Sequence, residues 1–341
     1  MSIRRIATEE AFALDEQFAA FRATARRNSD DGDARFWRMV LGGGYEDILG
    51  ALLDLGGERL ATMDRHGVDM HVLLLTSPGV QLLAPDVGAD LAALANDRLA
   101  EAIARHPTRF AGLASFAPQD PARAVREMER AAGRLGLNGF VVNSHTNGEY
   151  LDEEPYWPIL AAAEALGKPL YIHPRTLPAA AIAPYLPARL DGGIWGYAAE
   201  TGLHAMRLIM AGIFDRFPDL RIILGHMGEG LPYWLYRIDY MFGMQQRRGP
   251  SRLKLKPSEY FQRNFAITTS GVNDADVLDY CLKKMGPDAI MWAIDHPYQE
   301  TGEAVAFLED AAIDPAIKTR IWSGNAERIF GIPPSDGRTY A

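Results

Sequence analysis

The segment LYIHP, residues 170–174, is a short apolar run that stops on a histidine, and the same construction recurs along the chain. RIIL at 221–224 is followed by Gly225 and His226, IMWAI at 290–294 by Asp295, and IRRIAT at 3–8 by Glu9. Short apolar runs bounded by turn or polar residues read as buried strands. Four separated pieces of sequence therefore each bring a metal-binding or proton-transfer group to a strand's C-terminal edge. That edge is where a barrel of parallel strands assembles its active site.

Working outward, strands are expected at 3–7, 68–75, 110–116, 138–143, 169–172, 220–224, 264–269 and 289–294. Helical patterns fill 83–105, 121–135, 156–167, 199–216 and 274–285. Such alternation implies parallel strands joined by helical crossovers, and an α/β fold of the (β/α)8 TIM-like barrel type is the economical solution. One domain over 1–341 is expected, since such barrels with insertions reach this length. Two stretches interrupt the alternation. Residues 13–66 after strand 1 read as an insertion packed over the barrel mouth, and 176–198 as a Pro/Gly/Ala-rich loop that runs into a helix. Long loops of this kind serve as lids or oligomer contacts.

Composition narrows the function. Hydrophobic residues make up 48% and charged residues 23% of the chain, close to ordinary soluble usage, which excludes a disordered or fibrous protein. A net charge of −9 without a clustered basic footprint argues against nucleic-acid binding. No apolar run approaches the roughly 18 residues of a membrane span. The N-terminal MSIRRIATEEAF acquires two glutamates before any signal-like region develops, and the single Cys281 forms no intrachain disulfide. A soluble, unprocessed, cytoplasmic protein is expected.

Carboxylates and imidazoles converging on one barrel mouth suit a divalent cation of the Mn, Zn or Fe type and disfavour Ca. His145, in the turn NSHTNG, and His66, His71, His106 and His204, in helical or polar contexts, read as structural. His296 points differently from its neighbour Asp295, and Glu10 likewise faces away from Glu9, because adjacent strand residues alternate sides. Trp195, Tyr197, Trp234 and Trp292 are candidates for an aromatic pocket, with at least half of them expected in packing roles. No glycine-rich nucleotide fingerprint is present, since LGGGYED lacks a preceding strand.

Seven segments carry a resemblance: IATEEAF (6–12), LTSPGVQ (75–81), APQDP (117–121), NSHTNGEYLDEE (143–154), LYIHP (170–174), LGHMGEGLPYWLYRIDYM (224–241) and AIDHPYQ (293–299). Together they resemble the decarboxylase branch of the amidohydrolase superfamily, the group related to aminocarboxymuconate semialdehyde decarboxylase. The match runs over nearly the whole chain and is weakest at about 14–50. It implies that Glu9, His173 and Asp295 bind one divalent metal, Mn²⁺ by preference and Zn²⁺ as the alternative. It also implies that His226 is a catalytic histidine beside the metal, supported by Glu229, and that Arg237, Arg59 and Tyr298 contact substrate. Ala11 stands where hydrolytic relatives carry a further ligand, and no lysine follows strand 4, so a single metal is expected. A homo-oligomer, dimer or tetramer, is implied as well.

The chemistry that follows is non-oxidative decarboxylation of an ortho-hydroxy aromatic acid, with 5-carboxyvanillate going to vanillate plus CO2. Asp295 serves as general acid, with His226 as its partner or the alternative donor. An arginine such as Arg237 offers planar, bidentate recognition of an oxygen pair, although on an amphipathic helix it also has Asp239 as a ready ion-pair partner. Arg59 lies in a charged stretch with Glu58, Asp64 and Arg65, which equally suits a solvated helix face. The alternatives are a metal-dependent hydrolase of a lactone or related ester, a γ-resorcylate or dihydroxybenzoate decarboxylase, and a non-catalytic metal-binding scaffold.

Overall fold

The computed structural model describes residues 3–27, 32–249 and 253–334. Eight parallel strands follow one another in chain order, each hydrogen-bonded to the next: β1 (Ile6–Phe12), β2 (Met70–Leu75), β3 (Phe110–Ser115), β4 (Gly139–Asn143), β5 (Leu170–His173), β6 (Ile222–Leu224), β7 (Phe265–Thr268) and β8 (Ile290–Met291). The ring is drawn together where the Thr8 amide donates to the Trp292 carbonyl at 3.1 Å and the Ala11 amide to the His296 carbonyl at 2.8 Å. The result is a (β/α)8 barrel.

Helices cross back between successive strands, and their starts are written in the sequence. Asp120 accepts from the Arg123 amide with Pro121 at the first helical position, and Asp274 accepts from the amides of Asp276 and Val277. The barrel interior is filled by alternate residues of each strand, among them Ile6, Val72, Leu113, Val141, Tyr171, Ile223, Ala266 and Met291. Ile329 and Phe330 from the last helix, Asn325–Phe330, pack into the same cluster.

β1 departs from its expected span. It runs to Phe12 instead of ending at residue 7, because the two glutamates that look like a polar terminus are both buried inside the fold. Its register against β2 slips between Ala7 and Glu10, where three steps on β1 match two on β2. A bulge of this kind re-aims side chains.

Between β1 and β2 lie the helices Asp15–Arg27, Gly32–Val40, Glu46–Leu53 and Gly57–His66. The first three build an apolar cluster of their own with the end of β1, made of Ala11, Ala13, Phe18, Phe21, Trp37, Val40 and Leu52. Trp37 sits at its centre, with the rings of Phe21 and Phe18 at 5.0 and 5.5 Å.

Candidate metal centre and active site

The two-residue period that fills the barrel with apolar side chains also delivers the polar ones. On β5 the inward series is Tyr171 then His173, and on β7 it is Ala266, Thr268 and, beyond the strand, Ser270. Along β8 and past its end it is Met291, Ala293 and Asp295. Each series is apolar at the bottom of the barrel and polar at the top. Glu9, His173 and Asp295 consequently converge, each offering one ligand atom within 4.8 Å of the others.

Glu9 shows why these atoms suit a cation. Its Oε2 accepts from the hydroxyls of Thr268, at 2.8 Å, and Ser270, while Oε1 is buried without any donor. A buried carboxylate oxygen left unpaired is costly, and this one lies 3.6 Å from His173 Nε2. His173 Nδ1 donates to the Pro174 carbonyl at 2.9 Å, which leaves the Nε2 lone pair free for a metal. Burial holds the His173 imidazole below its usual range, in the neutral form that a ligand requires. The approach is possible only because residue 225 is glycine: a Cβ there would lie 2.8 Å from Glu9 Oε1 and 2.9 Å from Oε2.

His226 stands beside this set. Its Nδ1 lies 2.9 Å from Glu229 Oε1, and its Nε2 lies 3.8 Å from Asp295 Oδ2 and 4.0 Å from Glu9 Oε1. Burial opposes a charge on the ring, but the facing carboxylates Glu229 and Glu9 outweigh it and hold the imidazolium form well above its ordinary range. Burial, reinforced by the like charge of Glu9, pushes the Asp295 carboxyl up to about 6 even though His226 pulls it down. His226 Nε2 and Asp295 Oδ2 thus face each other across 3.8 Å, each holding a proton more tightly than the free side chain does.

The backbone here is unusual. His226, Met227, Glu229 and Asp295 all have φ between 50° and 74°, a left-handed conformation that costs non-glycine residues about 1–3 kcal/mol each. The fold over-determines these positions. Glu10 accepts from the amides of Ile294 and His296, both at 3.0 Å, and so grips the chain on either side of Asp295. The Asp295 carbonyl accepts from the Tyr298 and Gln299 amides at 2.8 and 3.1 Å.

These groups open into a cavity of about 310 Å³, at the small end of ligand sites. His173, His226 and Asp295 belong to its wall. Ser77, Tyr298 and Gln299 join from barrel loops, Asp33, Phe36 and Trp37 from the helix Gly32–Val40, and Gly192, Gly193 and Tyr197 from the 176–198 excursion. The Tyr298 hydroxyl is tied to Thr76 Oγ1 at 2.6 Å.

Two expected substrate contacts lie elsewhere. Arg59 is buried, donating from Nε to the Asp54 carbonyl at 2.6 Å and from Nη2 to those of Ala11, at 2.7 Å, and Ala51, at 2.9 Å. It props the end of β1 and is not in the cavity wall. Arg237 is exposed on the helix Leu231–Gln246, also outside the wall. Of the candidate pocket aromatics only Tyr197 lines the cavity. Trp292 is a core residue bonded to the Ala304 carbonyl, and Trp195 and Trp234 are exposed. Thr268, Ser270, Glu10, Phe36 and Trp37 were not among the expected site residues. For Thr268 and Ser270 the signal is there, since the two-residue period runs past the end of β7.

The geometry has counterparts among known proteins. Residues 30–332 match the amidohydrolase family. The chain belongs to that family. This amidohydrolase is 49% identical to 5-carboxyvanillate decarboxylase from Sphingomonas paucimobilis, whose crystal structure it matches over 97% of its own length and 100% of the other's, with a TM-score of 0.93. A 5-carboxyvanillate decarboxylase from Novosphingobium aromaticivorans, in complex with manganese and 4-hydroxy-3-methoxy-5-nitrobenzoic acid, is 43% identical over 97% and 96% of the two chains, at a TM-score of 0.93. The γ-resorcylate decarboxylase of Polaromonas sp. is 38% identical over 84% of this chain and 90% of its own. The amidohydrolase is accordingly an enzyme of the carboxy-lyase type.

Ser270→Ala removes one of the two donors that hold Glu9 Oε2. Its affinity for Mn²⁺ in a direct binding isotherm is expected to fall about 10–100-fold, the usual effect of losing a group that supports a metal ligand. Unchanged affinity would mean that Glu9 is not held this way.

Proposed function

We propose that this aromatic-acid decarboxylase converts 5-carboxyvanillate to vanillate and CO2. The observation that carries the reading is the Asp295–His226 pair, 3.8 Å apart beside the unpaired Glu9 Oε1, in a cavity sized for a single substituted ring. Resemblance at 49% identity to the Sphingomonas enzyme supports the choice of substrate.

Glu9, His173 and Asp295 would hold one divalent ion, with Mn²⁺ favoured and Zn²⁺ the alternative. When bound, the ion orients the ortho-hydroxy acid and offsets its charge. The remaining work falls to the protein. Glu229 keeps His226 oriented and charged, His226 Nε2 and Asp295 Oδ2 hold a proton between them, and Asp295 delivers it to the ring carbon that bears the carboxylate. Protonation interrupts the aromatic system. The bond to the carboxylate then breaks, its electron pair returns to the ring, and CO2 departs. Solvent restores the proton to the pair.

A second reading, γ-resorcylate as substrate, is favoured by one specific feature. Among the described residues the cavity wall contains no Lys or Arg to pair with the additional carboxylate of 5-carboxyvanillate. Resemblance to the Polaromonas γ-resorcylate decarboxylase points the same way.

We also propose a homo-oligomer. The helix that bears Arg237 exposes Tyr233, Trp234, Tyr236 and Tyr240 on its surface, an apolar display that suits a second copy. In such an assembly Arg237 faces the neighbouring chain. Sedimentation as a monomer at micromolar concentration would count against it.

The reaction is tested by stripping the protein of metal, reloading it with Mn²⁺ or Zn²⁺ and measuring CO2 release from 5-carboxyvanillate and from γ-resorcylate. Metal-dependent release with vanillate as product is expected, together with loss of turnover in a folded Asp295→Asn variant. Absence of release from either acid with both metals would overturn the reading, and an active Asp295→Asn would remove Asp295 from the acid role.

A further inference from the structure

Phe36 and Trp37 line the cavity yet belong to a helix outside the barrel, so the width of the cavity depends on what fastens that helix. A buried ion pair does. Arg175 Nε donates to Asp33 Oδ2 at 2.7 Å, its Nη2 meets the same oxygen, and its Nη1 donates to the His145 carbonyl at 2.8 Å. The Thr176 amide donates to Asp33 Oδ1 at 3.3 Å. The two charged side chains are 2% and 3% exposed.

The fit around this pair is close. A Cβ on Gly32 would lie 2.5 Å from Thr176 Oγ1 and 2.8 Å from Ile182 Cδ1, so the start of the helix rests directly on the chain that leaves β5. A second tether runs in parallel: Trp37 Nε1 donates to the Ser77 carbonyl at 3.0 Å, and Ser77 Oγ donates to the Pro174 carbonyl at 2.9 Å. Both tethers end within two residues of His173. Glu200, buried on the helix that follows the 176–198 excursion, lies within electrostatic reach of Arg175.

A buried ion pair is a poor source of net stability, and fixing register is its best-attested use. We propose that Arg175, acting through Asp33, is a positioning residue that sets the distance between His173 and the Phe36–Trp37 wall and so limits the ring substituents that the enzyme admits. The proposal rests on the reading of the cavity as the site of an aromatic acid.

Two chemically unrelated variants of the Mn²⁺-loaded full chain test it. Arg175→Lys replaces a planar fork by a single point charge that cannot hold Asp33 and the His145 carbonyl together. Gly32→Ala leaves every charge in place and forces the helix away from Thr176. In both, the Kd for 4-hydroxy-3-methoxy-5-nitrobenzoic acid and the KM for substrate are expected to rise about tenfold, with kcat changed less than about threefold. Mn²⁺ binding stays as in the wild type, and amide exchange accelerates in residues 33–40 but not in 290–295. Preference for a 3-methoxy over a 3-ethoxy ring, about 10–200-fold for one methylene in a tight apolar pocket, narrows.

A folded variant whose Kd stays within about twofold of wild type would overturn the proposal. So would a Kd that rises only together with loss of Mn²⁺ binding or with exchange throughout the chain. Should Arg175→Lys fail to fold, Gly32→Ala decides. Wild-type protein that binds the nitro acid but releases no CO2 would sink the reaction while the binding and exchange data still report on the wall.

Discussion

Everything at the mouth of this barrel is arranged around the buried carboxylate of Glu9. Three acidic groups, Glu9, Glu229 and Asp295, are gathered there away from water, and His226 is the neighbour whose positive charge faces all three. Two like charges about 4 Å apart repel by about 4 kcal/mol at an effective dielectric of about 20. Such a cluster persists because Thr268 and Ser270 hold one oxygen of Glu9, His226 balances Glu229, and the remaining oxygen of Glu9 is left facing His173 and Asp295. The orphaned oxygen and the excess negative charge are the same fact seen twice, and both are relieved by a divalent cation.

The surrounding structure divides the labour. The strands form a floor whose inward residues change from apolar to polar as they climb, so that Glu9 on β1, His173 on β5 and Asp295 beyond β8 arrive at one level. Backbone strain is concentrated at His226, Met227, Glu229 and Asp295, where Glu10 and the amides after Asp295 hold it. On the proposed reading, recognition of the ring falls to Phe36, Trp37 and Tyr197, which line the cavity from segments outside the barrel. In that proposal chemistry and selectivity rest on different parts of the chain, joined where Arg175 holds Asp33 and the His145 carbonyl.

Much of this was legible beforehand, and for a physical reason. Strands buried on both faces leave short apolar runs, and a polar group at the top of such a run interrupts it, so the eight strands and the convergence of Glu9, His173, His226 and Asp295 on one barrel mouth could be read from the sequence. The span of β1 could not, because a buried Glu-Glu pair looks like a solvated terminus until its partners are known. Arg59 and Arg237 illustrate a second limit. A charged residue on an amphipathic helix carries no mark of whether it meets substrate, a backbone carbonyl or solvent, and here the first satisfies carbonyls and the second is exposed. Phe36 and Trp37 lie in a polar stretch, RFWR, whose helical period does not say which face looks into the mouth.

Counting bound metal decides whether Glu9, His173 and Asp295 form one metal site. Titration of metal-free protein with Mn²⁺, followed by electron paramagnetic resonance of the free ion, should give one ion per chain. His173→Ala should weaken that site by more than the roughly 100-fold seen for supporting residues. Two equivalents per chain, or a single site untouched by His173→Ala, would exclude that site.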